Sequence, residues 1–104
     1  MQLFRDMRDR SIRLTEERRQ HLEIEHPEMT GQVPRITETL ANPDKVVQSR
    51  TDTTVELFYK HYQVTPVTDK FLCIVIKALP DDLFIITAYY TDTVKRGEVL
   101  WEKK

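Results

Sequence analysis

FLCIVIKALPDDLFIITAYYT, residues 71–91, carries two strand-length apolar runs on either side of LPDD and holds the densest hydrophobic material in the chain. It reads as a β-hairpin. Ile74, Val75, Ile76, Ile85 and Ile86 are branched at Cβ and favour an extended backbone, while Pro80, Asp81 and Asp82 supply turn chemistry. Neither run alternates cleanly, so both faces are expected to be covered along part of their length. At the end of the second run Thr87, Tyr89 and Thr91 share one face of an ideal strand, and Ala88 and Tyr90 the other. A hydroxyl-rich strand end beside a solid core suits the floor of a site, although Thr and Tyr are also ordinary strand residues. Turn length decides where Lys77 points. With a three-residue loop it joins Ile85, Thr87 and Tyr89, and with two or four residues it joins Phe84, Ile86 and Ala88.

The chain is 104 residues long, 39% hydrophobic and 32% charged, with two glycines and five prolines, which fits one folded domain over residues 1–104 and argues against disorder. No apolar window reaches the length of a membrane span, and MQLFRDMRDRSIRL places charges where a signal peptide needs an apolar stretch, so a cytoplasmic protein without a membrane partner is expected. Cys73, the only cysteine, rules out an internal disulfide and reads as a buried small hydrophobe. A net charge of -1 lacks the positive excess that supports nonspecific nucleic-acid binding, so RNA contact requires a local patch. The first twenty residues carry six arginines against four acids, a basic segment able to meet phosphate or simply to be solvated.

Outward from the hairpin, Thr15 before EERRQHLEIE is a helix start: its hydroxyl accepts a free backbone N–H, and the acids oppose the positive end of the dipole. A helix is expected at 16–25, stopped by Pro27. His21 and His26 lie five apart, not the one-turn spacing of a helical metal pair, so no metal site is expected. A second helix is expected at 34–42, with Pro34 in its first turn and Val33, Ile36 and Leu40 on one face. Strands then follow in VVQSR, VELFYKHYQ and the hairpin. In VELFYKHY the odd positions, Val55, Leu57, Tyr59 and His61, make the better core face, leaving Glu56 and Lys60 toward water or a ligand. The VLW segment docks Trp101 back on the domain. The architecture expected is α+β: two N-terminal helices packed on one face of a roughly four-stranded antiparallel β-sheet, the other face partly open.

RLTEERRQHLEIEHPEM, ITETLANPDKVVQSR, VELFYK, FLCIVIK and FIITAYYTDTVKRGE, in this order over about residues 12–99, resemble small phage and mobile-element proteins of the barnase, EndoU, colicin and RelE-like nuclease fold. The resemblance implies a toxin-like fold in which many members cleave RNA without metal or other cofactor. It implies a contribution from His21 in the first helix, His26 in the adjoining turn, and phosphate or ribose contacts from Thr87, Tyr89 and Thr91. The resemblance also implies, in many relatives, a basic residue before the second histidine, where this chain has Glu25. The fold also serves processing and inactive members.

Metal-independent RNA cleavage needs a base for the ribose 2′ proton, donors for the charge on phosphorus and an acid for the leaving 5′ oxygen. The candidates are His21 for proton transfer, Lys60 or Lys95 as electrostatic stabiliser, and Thr87 and Tyr89 as phosphate donors, giving 2′,3′-cyclic phosphate ends. His26, Ser49, Arg50, Thr91 and Lys95 are candidates for substrate binding. Each has an ordinary structural role as well: the histidines as packing or turn residues, the lysines as solvated charges, and Ser49 and Arg50 as a strand end leading into the TDT turn. The alternative is a noncatalytic binding or accessory protein acting on RNA, a cognate inhibitor or another protein, and a weaker third idea is strand addition at an exposed sheet edge.

Overall fold

A computed structural model describes residues 1–104. The helices form where local chemistry calls for them. Helix α1 spans Glu16–Glu25, with the Thr15 hydroxyl accepting the Arg18 backbone N–H at 3.2 Å and Glu16 and Glu17 in the first turn. Pro27 opens a 3₁₀ turn, Pro27–Met29, that redirects the chain into helix α2, Val33–Ala41, whose Ile36, Thr39 and Leu40 are buried. No helix is long and apolar enough to cross a membrane.

The two helices pack against one sheet, and that sheet has seven strands, not the four expected. They are β1 (Gln2–Arg5), β2 (Ser11–Leu14), β3 (Lys45–Gln48), β4 (Val55–Tyr62), β5 (Lys70–Leu79), β6 (Asp82–Thr91) and β7 (Glu98–Glu102), in the spatial order β1-β2-β6-β5-β4-β3-β7. The additional strands β1, β2 and β7 are four or five residues long and sit toward the two edges, too short to show a convincing alternation of their own. Nor is the sheet wholly antiparallel: β2 lies parallel to β6 through the pair Arg13↔Phe84. Burial holds β2 there, because Ile12 and Leu14 are almost fully enclosed and each contributes about 1.5–3 kcal/mol. Arg13 adds a two-pronged ion pair to Asp82, with both N–O distances 2.9 Å, and its guanidinium lies over the Phe84 ring.

The hairpin of β5 and β6 closes through a two-residue turn at Pro80 and Asp81, with Leu79 opposite Asp82. Register then slips at a β-bulge: Ile76 faces Ile85 but Val75 faces Thr87, leaving Ile86 as the extra residue. Lys77, opposite Phe84, therefore shares its face with Thr87 and Tyr89 after all, since the bulge reverses the phase that a two-residue turn alone would impose.

Both faces of the sheet are covered in the middle. Toward the helices lie Phe58, Leu72, Ile74, Ile76, Ile85, Ala88 and Tyr90, meeting Leu22, Met29, Ile36 and Leu40. On the other face Val47, Leu57, Tyr59 and Cys73 form a smaller core with Val75, Tyr89 and Val94. In β4 the odd residues Leu57 and Tyr59 are buried as expected, but the even face is buried too. Phe58 is fully enclosed there, and Glu56 is not turned to water: it binds Arg8 at 3.1 Å and Arg10 at 2.7 Å, both from the β1–β2 connection. Trp101 packs half-buried against the larger core, opposite Val46.

Candidate functional site

The smaller core leaves a recess above it, and two loops make its walls. β6 and β7 are separated in the sheet by β5, β4 and β3, so residues 92–97 must cross the face away from the helices to connect them. This strap is pinned in three places: Val94 packs into the smaller core, the Lys95 backbone N–H donates to the Tyr59 hydroxyl at 3.1 Å, and Gly97 presses on the Gln48 carbonyl. An added Cβ at Gly97 would stand 2.3 Å from that carbonyl oxygen, so only glycine permits so close an approach.

The opposite wall is the turn between β3 and β4. Asp52 folds it by accepting the Thr54 N–H at 2.9 Å and the Thr54 hydroxyl at 2.6 Å, and it takes Lys77 Nζ at 2.7 Å. The Lys77 ammonium and then the Thr54 donors pull the Asp52 carboxyl well below the usual carboxylate range, so it stays ionised and neutralised by its partner. Lys77 is thus spent on the turn.

Between strap and turn lies a pocket of about 740 Å³, within the ordinary range for small-ligand sites. Its floor is apolar, formed by Val55, Leu57, Val75 and Ile86 with Tyr89, and its rim carries Ser49, Arg50, Thr51, Lys95 and Arg96. Arg50, Lys95 and Arg96 are exposed and take part in none of the chain's ion pairs. Three unneutralised cations over an apolar floor make a receptor for an anion with a flat or apolar body. Below the floor, burial pushes the Cys73 thiol up to about 11 and raises the neighbouring Tyr59 and Tyr89 phenols, so all three are protonated at neutral pH.

The residues singled out from sequence fall into two groups. Ser49, Arg50, Thr87, Tyr89 and Lys95 all line this pocket. The Thr87 hydroxyl, however, is buried in the floor without a hydrogen-bond partner and does not present itself to a phosphate. His26 does not line the pocket but neighbours one residue that does: its ring centroid lies 5.5 Å from that of Tyr89, and its Nδ1 is 3.7 Å from the Glu28 carboxylate. His21 is elsewhere, exposed in a shallow cleft with Thr15, Glu17 and Arg18. Lys60 lies on the opposite side of the sheet, since it pairs with Leu72 and through it with Tyr90, and its Nζ donates to the Asn42 carbonyl at 3.0 Å. A strand residue cannot serve both faces, so Lys60 and Tyr89 do not share a site. The Thr91 hydroxyl accepts the Thr93 N–H at 3.2 Å, shaping the start of the strap.

Sequence reasoning passed over Arg96, Thr51 and the pairing of Asp52 with Lys77. The Lys95-Arg96 pair directly before Gly97 was the available signal. No three His, Cys, Asp or Glu side chains gather into a group able to hold a metal ion. Comparison with known proteins finds no matching family model, no matching curated protein and no matching solved structure.

Proposed function

We propose that the pocket binds RNA at a phosphodiester and cleaves it by attack of the ribose 2′ hydroxyl, without a metal ion. What carries this reading is the gathering of Arg50, Lys95 and Arg96, from segments far apart in sequence, around an apolar floor whose Tyr89 has the His26 ring as a neighbour. The three cations hold the phosphate and offset the charge that grows on it as the 2′ oxygen bonds to phosphorus. His26 takes over the proton-transfer role first considered for His21: it accepts the 2′ proton, and the departing 5′ oxygen is protonated by the imidazolium or by water as its bond to phosphorus breaks. The Glu28 carboxylate, 3.7 Å from Nδ1, is the nearest acid to the ring. Tyr89, kept protonated by burial, positions the substrate as a hydrogen-bond donor. The products carry 2′,3′-cyclic phosphate and 5′ hydroxyl ends.

One observation favours the second reading, a noncatalytic RNA-binding or toxin-like accessory protein: no imidazole lines the pocket and only His26 neighbours it through Tyr89, whereas the reaction uses both a base and an acid. Incubation of the protein with mixed-sequence RNA in EDTA separates the two. The enzyme reading expects cyclic-phosphate products and a fall of about 10²–10⁴-fold in rate for His26→Ala. Intact RNA with retained binding supports the accessory role. Loss of cleavage in His21→Ala but not in His26→Ala would return proton transfer to the first helix.

A further inference from the structure

The strap does more than wall the pocket, because Arg50, Lys95 and Arg96 also line a second recess, of about 490 Å³, on its far side. The two recesses differ in chemistry. The first has the apolar floor already described, while the second adds Lys45 and Glu98 and is chiefly polar. We propose that the pair of recesses accommodates a single-stranded RNA segment, with one unpaired base in the apolar chamber, its phosphate on the three shared cations, and the adjacent phosphate in the polar recess against Lys45.

This rests on the RNA reading above and narrows it. A base within a duplex has both faces stacked and its edge paired, so it cannot enter a chamber recessed between a strap and a turn; an unpaired base presents a flat apolar face that suits Val75, Ile86 and the Tyr89 ring. Lys45 is positioned to be recruited rather than already engaged: its one ion pair is with Glu102, at 3.7 Å and largely exposed, and Glu98 in the same recess makes no ion pair with it. The shared cations stand between an apolar and a polar compartment, the order in which base and backbone alternate along a strand.

Binding is measured by fluorescence anisotropy on the His26→Ala protein, which keeps the RNA intact, using a labelled single-stranded RNA decamer, the same decamer annealed to its complement, and uridine monophosphate as an unlabelled competitor. The proposal expects the single strand to bind at least about tenfold more tightly than the duplex. Lys45→Met should weaken the decamer about fivefold while leaving the competitor's inhibition constant unchanged, since the monophosphate reaches only the shared cations. Glu102→Gln breaks the same surface ion pair without removing the cation and should not weaken the decamer; equal loss in both variants would assign the effect to structure and overturn the proposal. Duplex binding as tight as single-strand binding, or a Lys45→Met effect of equal size on decamer and monophosphate, would also overturn it while leaving the RNA reading intact. A protein that binds none of the three probes removes both.

Discussion

Gly97→Ala tests whether the strap is as rigidly seated as its contacts imply. The glycine has no positive φ to protect, so the whole effect comes from the methyl group, whose carbon would stand 2.3 Å from the Gln48 carbonyl oxygen and 2.7 Å from Val47 Cγ1. The first distance is about 0.7 Å shorter than the 3.0 Å below which real Cβ contacts essentially never fall. A side chain can rotate away, but Gln48 is backbone in β3, paired with β4 on one side and β7 on the other. Relief must come from lifting the strap and opening the Gln48↔Glu98 pair at the start of β7, which has no other strand neighbour. Overpacking costs about 1–3 kcal/mol, and an immobile partner puts this case near the upper end. At roughly 4–8 °C per kcal/mol for a domain of this size, the melting temperature should fall by about 12–24 °C. Thermal denaturation followed by circular dichroism reads the shift. Adding Val47→Ala should recover only part of it, because the carbonyl contact remains. A Gly97→Ala protein melting within about 2 °C of the parent would refute the argument, and full rescue by Val47→Ala would show that the side chain alone was the obstacle.

Other substitutions probe different physics. Gly31 is the converse case, with φ +76° and nothing within 4 Å of an added Cβ, so Gly31→Ala should cost only the left-handed backbone penalty of about 1 kcal/mol in urea melts, and Gly31→Asn less. Asp6, buried, accepts the backbone N–H groups of Arg8 at 3.0 Å and Arg10 at 2.8 Å and the Arg10 Nε at 2.7 Å; Asp6→Ala should cost about 1–3 kcal/mol in the same measurement, because it removes the acceptor of these donors while Arg10 keeps Glu56 as its ion-pair partner. Cys73 should resist alkylation at pH 8 in the folded protein and react once it is unfolded. Because burial raises its pKa from 9.0 to about 11 on folding, its contribution to stability is complete below pH 9 and is lost as pH rises toward 11, where the raised Tyr59 and Tyr89 phenols act in the same direction. Stability that is level from pH 7 to 11 in equilibrium urea titrations would contradict that account.

Local chemistry made much of the fold legible. The Thr15 cap with its two glutamates sets the start of α1, Pro27 ends it, and the branched residues around Pro80 and Asp81 make the hairpin. What escaped was nonlocal. A short extended segment at Ile12 to Leu14 is as reasonable from sequence as a helical turn, but its partner β6 lies some seventy residues away, joined through Arg13, Asp82 and Phe84. Nothing in Ile86 marks a bulge, yet that residue brings Lys77 to the face of Thr87. The site divided along the same line. Strand phase sorts Thr87 and Tyr89 from Ala88 and Tyr90, whereas the separation of His21 from Tyr89 depends on how α1 meets the sheet, and the exclusion of Lys60 depends on which face the strap crosses.

The strand order also bears on how the chain is assembled. β1 and β2 precede every helix in sequence, yet β2's only strand neighbour besides β1 is β6, so Ile12 and Leu14 cannot complete their burial until the hairpin of β5 and β6 exists. During synthesis these apolar residues emerge early and wait. Closure of the β2–β6 seam is consequently a late step with a large loop-closure cost, and a ribosome paused before β6 would display an unsheltered β1–β2 ribbon to chaperones or to neighbouring chains.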